Sequence, residues 1–322
     1  MTESTKEINI NEPRNQLKLF GYNDFFNKFI SIYKKRKLPS TILLSGPKGI
    51  GKATFAYHFI NYLLSMNDVN KYSLDEFEIN PENLTYKLIT GNTHPNFFSL
   101  DNTLSENIKI SQVRDLLKFL SQSTYSNNLK IVLIDNAEHL NLHSSNALLK
   151  AIEEPFDNTF FFIIHNDTSK LLDTIKSRAV QFKINFSISE KKDIFQKIVT
   201  EYLINYDKKI LDDFLYFDTP GNFLQILSIL NASELNLIID DLESIFYLME
   251  KFKASKNNYL LSFINLLIER YYNKLSITDN NNINQYFIKK SKIQYMISDM
   301  KKFNLDKKNL LISIDRILKS AN

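Results

Sequence analysis

Glycine is rare in this chain, six among 322 residues, and three of the six fall at Gly46, Gly49 and Gly51. A chain that avoids glycine elsewhere has concentrated it where the backbone must turn in ways side chains forbid. The segment Gly46-Pro47-Lys48-Gly49-Ile50-Gly51-Lys52 has the form G-x-x-x-x-G-K. Before it lies a short apolar run, Thr41–Ser45 (TILLS), that reads as a buried strand. After it, Lys52–Ser65 reads as a helix. A strand, a tight glycine turn and a helix start form the context in which such a loop cradles phosphate, through successive N–H groups and the positive helix end. Lys52 is then set to reach the β- and γ-phosphates. The plainer reading is a glycine-rich turn between strand and helix. Both demand an α/β architecture.

The loop has a defect. The residue after the lysine is ordinarily Ser or Thr, whose hydroxyl coordinates Mg²⁺. Here it is Ala53, and Thr54 comes one residue late. One residue on a helix is a rotation of about 100°, so Thr54 is not expected to substitute. A second apolar strand, Lys130–Asp135 (KIVLID), ends in Asp135, placed as a metal-side carboxylate. Its alternative reading is a solvated strand-end acid. A hydrolysing site carries Glu next, to activate water; here it is Asn136, which cannot accept the proton. Glu138, three positions after Asp135, is expected to point elsewhere. Both defects fall on one reaction. ATP or ADP is a candidate ligand of Gly46 through Thr54, with metal-assisted hydrolysis impaired.

The rest of the chain fits around this centre. Phe20–Lys37 has helical spacing, and Ser111–Leu120 reads as a helix with Ser111 as its N-cap. Ser144–Glu154 reads as a helix stopped by Pro155, and Thr159–His165 (TFFFIIH) as a third buried strand. His94-Pro95 reads as a turn before an edge strand. Alternation of this kind predicts a mostly parallel sheet. Beyond Asn185 the spacing is helical: Ser187–Ile204, Lys209–Phe217, Phe223–Leu230 and most of Ser233–Asn322, with a loop at 278–285. The predicted domains are 1–185, 186–233 and 234–322. No run of 18 apolar residues occurs, and the polar N-terminus does not read as a signal peptide, so a cytoplasmic location is expected. Cysteine is absent, which excludes disulfides and a thiolate zinc site. The net charge of +4 is too mild to imply nucleic-acid binding. Lys289, Lys290, Lys292, Lys301 and Lys302 form a loose basic cluster that reads as a solvated face. Only six of the 40 basic residues are arginine, Arg178 among them.

Asn146-Ala-Leu-Leu-Lys-Ala-Ile-Glu-Glu-Pro155 (NALLKAIEEP) resembles a segment shared by bacterial replicative clamp-loader subunits of the AAA+ class. GPKGIGKAT, THPNFF (93–98), KISQVRDL (109–116) and TIKSRA (174–179) accompany it in the same order. The resemblance covers about residues 20–179. It implies an AAA+ P-loop domain, a small helical lid and an all-helical C-terminal collar. Within the family the chain looks most like the non-hydrolysing delta-prime branch, because the motor branch, gamma or tau, usually keeps the P-loop hydroxyl and the Asp-Glu pair. The family's four-cysteine zinc module is replaced by a cysteine-free insert, roughly Asn67–Asn92.

The resemblance also implies roles. TIKSRA is similar to the family's SRC motif, with Ala179 in the cysteine position, and the arginine of that motif acts in trans on ATP held by a neighbouring subunit. Arg178 is that candidate; the alternative is a local salt bridge. His165 or Asn166 falls in the sensor 1 neighbourhood, with strand capping as the other reading. A sensor 2 arginine expected near Gly221–Leu224 is absent. The implied partners are the gamma/tau motor and delta subunits, with the sliding clamp and primed DNA reached through the complex, and no membrane. The competing functions are an active motor subunit using Thr54 and Glu138, and an unrelated P-loop repair or transport enzyme. The paired NALLKAIEEP and TIKSRA segments argue against the latter.

Overall fold

The computed structural model describes residues 11–101, 108–122, 129–167, 169–204, 215–216, 218–231, 242–255, 258–303 and 305–320. The chain divides into two compact units: residues 10–205 with 219–221, and the remainder.

The first unit is an α/β sheet domain. Five parallel strands, β1 (Thr41–Gly46), β2 (Phe97–Leu100), β3 (Lys130–Ile134), β4 (Thr159–Asn166) and β5 (Val180–Lys183), lie in the order β2-β3-β4-β1-β5. Every residue of β1 and β3 is buried. Strands covered on both faces read as continuous apolar runs, which is why these two are legible in the sequence. His94 accepts the Asn96 N–H at Nδ1, making the expected turn before edge strand β2. The other edge, β5, does not stand out in the sequence: three of its four residues are exposed, so it carries no apolar run.

Helices cover both faces. On one side α1 (Asn23–Lys34), α2 (Lys52–Leu64) and α3 (Leu84–Thr90) enclose a core dominated by aromatic rings: Phe26, Phe29, Phe55, Phe59, Tyr72 and Phe162. On the other, α4 (Ile110–Ser121), α5 (Leu142–Glu153) and α6 (Asp173–Lys176) cover a mainly aliphatic core of Leu43, Val113, Leu116, Val132, Leu148 and Ile163. Helix α4 begins one residue before the expected cap: Lys109 is the N-cap, and its N–H is accepted by the Gln112 side chain. Helix α5 starts at Leu142 because Asn141 caps it, accepting the Ser144 N–H at 2.8 Å. Helix α7 (Ile188–Glu201) opens on a reciprocal Ser187–Glu190 capping box.

The cysteine-free insert packs on aromatic rings and a buried amide. Tyr72 stacks on Phe26 at 5.2 Å, and Phe77 and Ile79 are buried. The buried Asn83 side chain joins Asn61, Asp68, Asn70 and Tyr86.

In the second unit the described helices are most of α8 (Pro220–Asn231), α9 (Leu242–Ser255), α10 (Asn258–Thr278), α11 (Ile283–Phe303) and α12 (Lys307–Lys319). α9 packs on α10, α10 on α11, α11 on α12, and α12 returns to α9. Leu248, Phe252, Ile264, Ile268, Ile293 and Ile314 fill the space between them. The expected loop at 278–285 is shorter than predicted: a 3₁₀ turn at Asn280–Asn282 leads directly into α11. Most of the helix expected over Lys209–Phe217 lies outside the described residues. Of the basic cluster, Lys289 bonds the Ser320 carbonyl and Lys290 the Asn273 side chain, while the side chains of Lys301 and Lys302 lie outside the described residues. No helix among the described residues is long and apolar enough to cross a membrane.

Candidate nucleotide site

The glycine loop leaves the C-terminal end of β1 and enters α2. Gly49 and Gly51 have φ of 78° and 97°, the left-handed region that side chains disfavour. Gly46 is needed for a different reason. A Cβ there would stand 2.3 Å from the Ile184 carbonyl oxygen.

The loop's carbonyls are all engaged. Lys52 Nζ donates to Gly46 O and Pro47 O, each at 2.7 Å. Thr219 Oγ1 donates to Lys48 O at 2.8 Å, and the Gly221 N–H to Gly49 O at 3.0 Å. The buried Tyr22 hydroxyl donates to Ile50 O at 2.9 Å, and the Phe55 N–H to Gly51 O. Each loop carbonyl thus accepts a hydrogen bond from within the fold, and backbone N–H groups are the donors a loop of this kind can offer a phosphate. Tyr22, Thr219 and Gly221 are supports that sequence reasoning missed, since nothing local to them refers to a loop far away in the chain. Gly221 is required by close approach: a Cβ there would lie 2.4 Å from Gly49 O.

The charged residues meet beyond the C-terminal ends of the inner strands β1, β3 and β4. Lys52 is buried, and burial lowers its pKa to about 8 against the pull of Glu138, Asp167 and Asp135. Burial raises Asp135 to about 6, although the Asn136 N–H donates to its Oδ1 at 2.9 Å. Asn136 has φ 54°, a left-handed conformation that asparagine tolerates better than most residues. The 3₁₀ turn after it, Ala137–His139, swings Glu138 back over the site. Its carboxylate accepts the Asn166 N–H at 3.3 Å. The expectation that Glu138 points elsewhere is therefore corrected: the reversal at Asn136, invisible to residue spacing, returns it to the charge cluster.

Asn166 pairs with Gly46 across β4 and β1, and strand alternation puts it on the face of Phe162 and Ile164, toward α2. His165 faces the opposite core, is buried, and bonds the Ser169 carbonyl through Nε2 at 2.9 Å. Of the two, Asn166 is on the loop's side. Ala53 packs against the aromatic core and offers no oxygen. The position after Lys52 thus brings no side-chain oxygen to the loop, while Asp135, Glu138 and Asp167 lie within electrostatic reach of Lys52.

Arg178 lies away from this cluster, at the turn after α6. Its Nε donates to Glu153 Oε1 at 2.6 Å, and 31% of its side chain is exposed.

Residues 21–187 match the profile of a family described as DNA polymerase III, delta subunit. The DNA polymerase III subunit delta' of Pseudomonas aeruginosa is 39% identical over 140 residues, covering 43% of this chain and 41% of that protein. The subunit delta' of Buchnera aphidicola subsp. Acyrthosiphon pisum is 23% identical over 262 residues, 73% of this chain and 78% of that protein. The DNA polymerase III subunit gamma of Buchnera aphidicola subsp. Schizaphis graminum is 27% identical over 208 residues, 63% of this chain and 54% of that protein. With the family profile spanning more than half of the sequence and delta' subunits among its relatives, the chain belongs to the DNA polymerase III clamp-loader family, in its delta-prime branch.

Proposed function

We propose that this chain is a non-hydrolysing clamp-loader subunit that lends Arg178 in trans to ATP held by a neighbouring motor subunit. The observation that carries the reading is the backbone at Asn136. The residue where a hydrolysing relative places its water-activating carboxylate is an amide, in left-handed conformation, with its N–H turned onto Asp135. Ala53 removes the metal's hydroxyl ligand one step from Lys52. Arg178 is partly exposed, and a planar guanidinium is suited to the charge that develops on a transferring phosphoryl group. Its partners in this reading are gamma/tau and delta subunits, acting on a sliding clamp and primed DNA in the cytoplasm. ATP or ADP at its own loop serves binding or structure, without Mg²⁺-assisted turnover.

The test is a complex reconstituted with motor and delta subunits. Arg178→Ala should depress ATP turnover and clamp loading while assembly is retained. Unchanged turnover refutes the trans role.

One observation favours a second reading, a hydrolysing gamma-like subunit. Glu138 faces the charge cluster, where it stands in for the carboxylate missing at Asn136. ATP turnover by the isolated chain that is lost in both Lys52→Ala and Glu138→Gln would establish it.

A further inference from the structure

The arginine assigned the trans role is already gripped by its own chain. Arg178 Nε and Nη2 both meet Glu153 Oε1, at 2.6 and 2.5 Å. On the other side Nη1 donates to the Thr174 carbonyl at 2.9 Å and to Ser177 Oγ at 3.3 Å. The guanidinium plane is held from two directions, yet part of it stays open to solvent. The pairs Lys118–Asp115, Lys253–Glu250 and Lys319–Asp315 differ, since each joins neighbours on a single helix. Glu153 and Arg178 are 25 residues apart, and their pair ties the last residue of α5 to the turn after α6. That turn is itself anchored. Ile175 is fully buried, and the N–H groups of Ser177 and Arg178 bond back to Asp173 O and Ile175 O.

From this geometry we propose that Glu153 is a positioning residue for Arg178: it fixes the guanidinium fork at the surface, in the orientation a neighbour's phosphate meets, without touching that phosphate. The proposal rests on the trans reading of Arg178. A free arginine side chain has many rotamers, and those must be frozen when it engages a transition state. A side-on carboxylate removes that freedom beforehand, and misplacement of a reacting partner by about 1 Å can cost on the order of a hundredfold in rate. Glu153 is itself 46% exposed, so solvent screens its charge from an incoming phosphate.

The test measures ATP turnover of the reconstituted complex carrying Glu153→Gln, Glu153→Ala, Arg178→Ala or the Glu153→Ala/Arg178→Ala double variant. Glu153→Ala should lower kcat on the order of tenfold with KM for ATP unchanged, because the nucleotide is bound by another subunit. Glu153→Gln, which keeps an acceptor oxygen, should fall between it and wild type. The double variant should be no slower than Arg178→Ala alone. If Arg178→Ala slows turnover and Glu153→Ala does not, the positioning role is overturned and the trans role stands. Additive losses in the double variant overturn it too, since Glu153 then acts independently of Arg178. If Arg178→Ala has no effect, the trans reading fails and this proposal with it. Thermal melting and gel filtration show whether a variant folds and assembles; should Glu153→Ala fail either, Glu153→Gln decides the matter by the same criteria.

Discussion

Lys52 and Arg178 are the two cations of the proposed chemistry, and the molecule holds them in opposite ways. Lys52 is 5% exposed and donates to two backbone carbonyls of its own loop. Arg178 is 31% exposed and is held by a carboxylate from another helix. A buried ammonium depends on backbone geometry, hence on the packing beneath the loop. A surface guanidinium depends on a few side-chain partners and can be removed with little consequence for the core. In the proposed reading the contrast also separates two roles: a loop that receives phosphate, and an arginine offered to another subunit.

The largest expected effect tests the surface side. Arg178→Ala should reduce ATP turnover of the reconstituted complex on the order of a thousandfold, the lower end of what an arginine finger supplies. The same change should shift the chain's own stability by less than about 1 kcal/mol, as for other partly exposed ion pairs. Turnover assays and denaturant melts measure the two arms. A large stability loss with intact turnover would reverse the contrast.

Next comes the packing beneath the loop. Phe55 is fully buried and stacks on Tyr22 at 5.3 Å, the residue whose hydroxyl holds Ile50 O. Phe55→Ala should cost about 3–4 kcal/mol of folding stability, by lost transfer energy and the cavity left behind. Urea unfolding reads this, and a loss under about 1 kcal/mol would show that the loop does not lean on the aromatic core.

The buried charges make a smaller, pH-dependent contribution. Asp135 is raised from 3.8 to about 6, so the folded state holds its proton more tightly and stability falls as pH rises between those values. Lys52 is lowered from 10.5 to about 8, so stability recovers as pH rises between 8 and 10.5. The two groups therefore destabilise the fold most between about pH 6 and 8. Asp135→Asn should stabilise the chain by about 1–2 kcal/mol at pH 7, with the gain vanishing below about pH 4. Melting temperatures across pH decide it, and an equal gain at every pH would contradict it.

The smallest effect is a control. Lys118 and Asp115 are both exposed and sit one turn apart on α4, 3.4 Å from each other. Lys118→Ala should change stability by no more than about 0.5 kcal/mol. A larger change would mean that surface pairs in this protein, Glu153–Arg178 included, carry more of the fold than their exposure suggests.

Legibility in the sequence followed burial and locality. β1, β3 and β4 could be read because strands covered on both faces are continuous apolar runs. The loop could be read because left-handed turns concentrate glycine in a chain that otherwise lacks it. β5 could not, since Val180 and Gln181 face solvent at a sheet edge. Glu138 was misplaced because one left-handed residue, Asn136, followed by a 3₁₀ turn reverses the direction that spacing implies. The Asn83 knot and the Thr219 and Gly221 bonds to the loop join residues with no local pattern in common.

By itself, the order of residues determined the α/β class, the position of the glycine loop, and that an alanine follows Lys52 and an asparagine follows Asp135. These are matters of residue type and short-range spacing, set by backbone sterics and hydrophobic period. Tertiary structure alone decided which distant groups hold the loop, that Glu138 returns to it, and that Glu153 grips Arg178. Those are contacts between separate elements, and they exist only once packing brings the elements together.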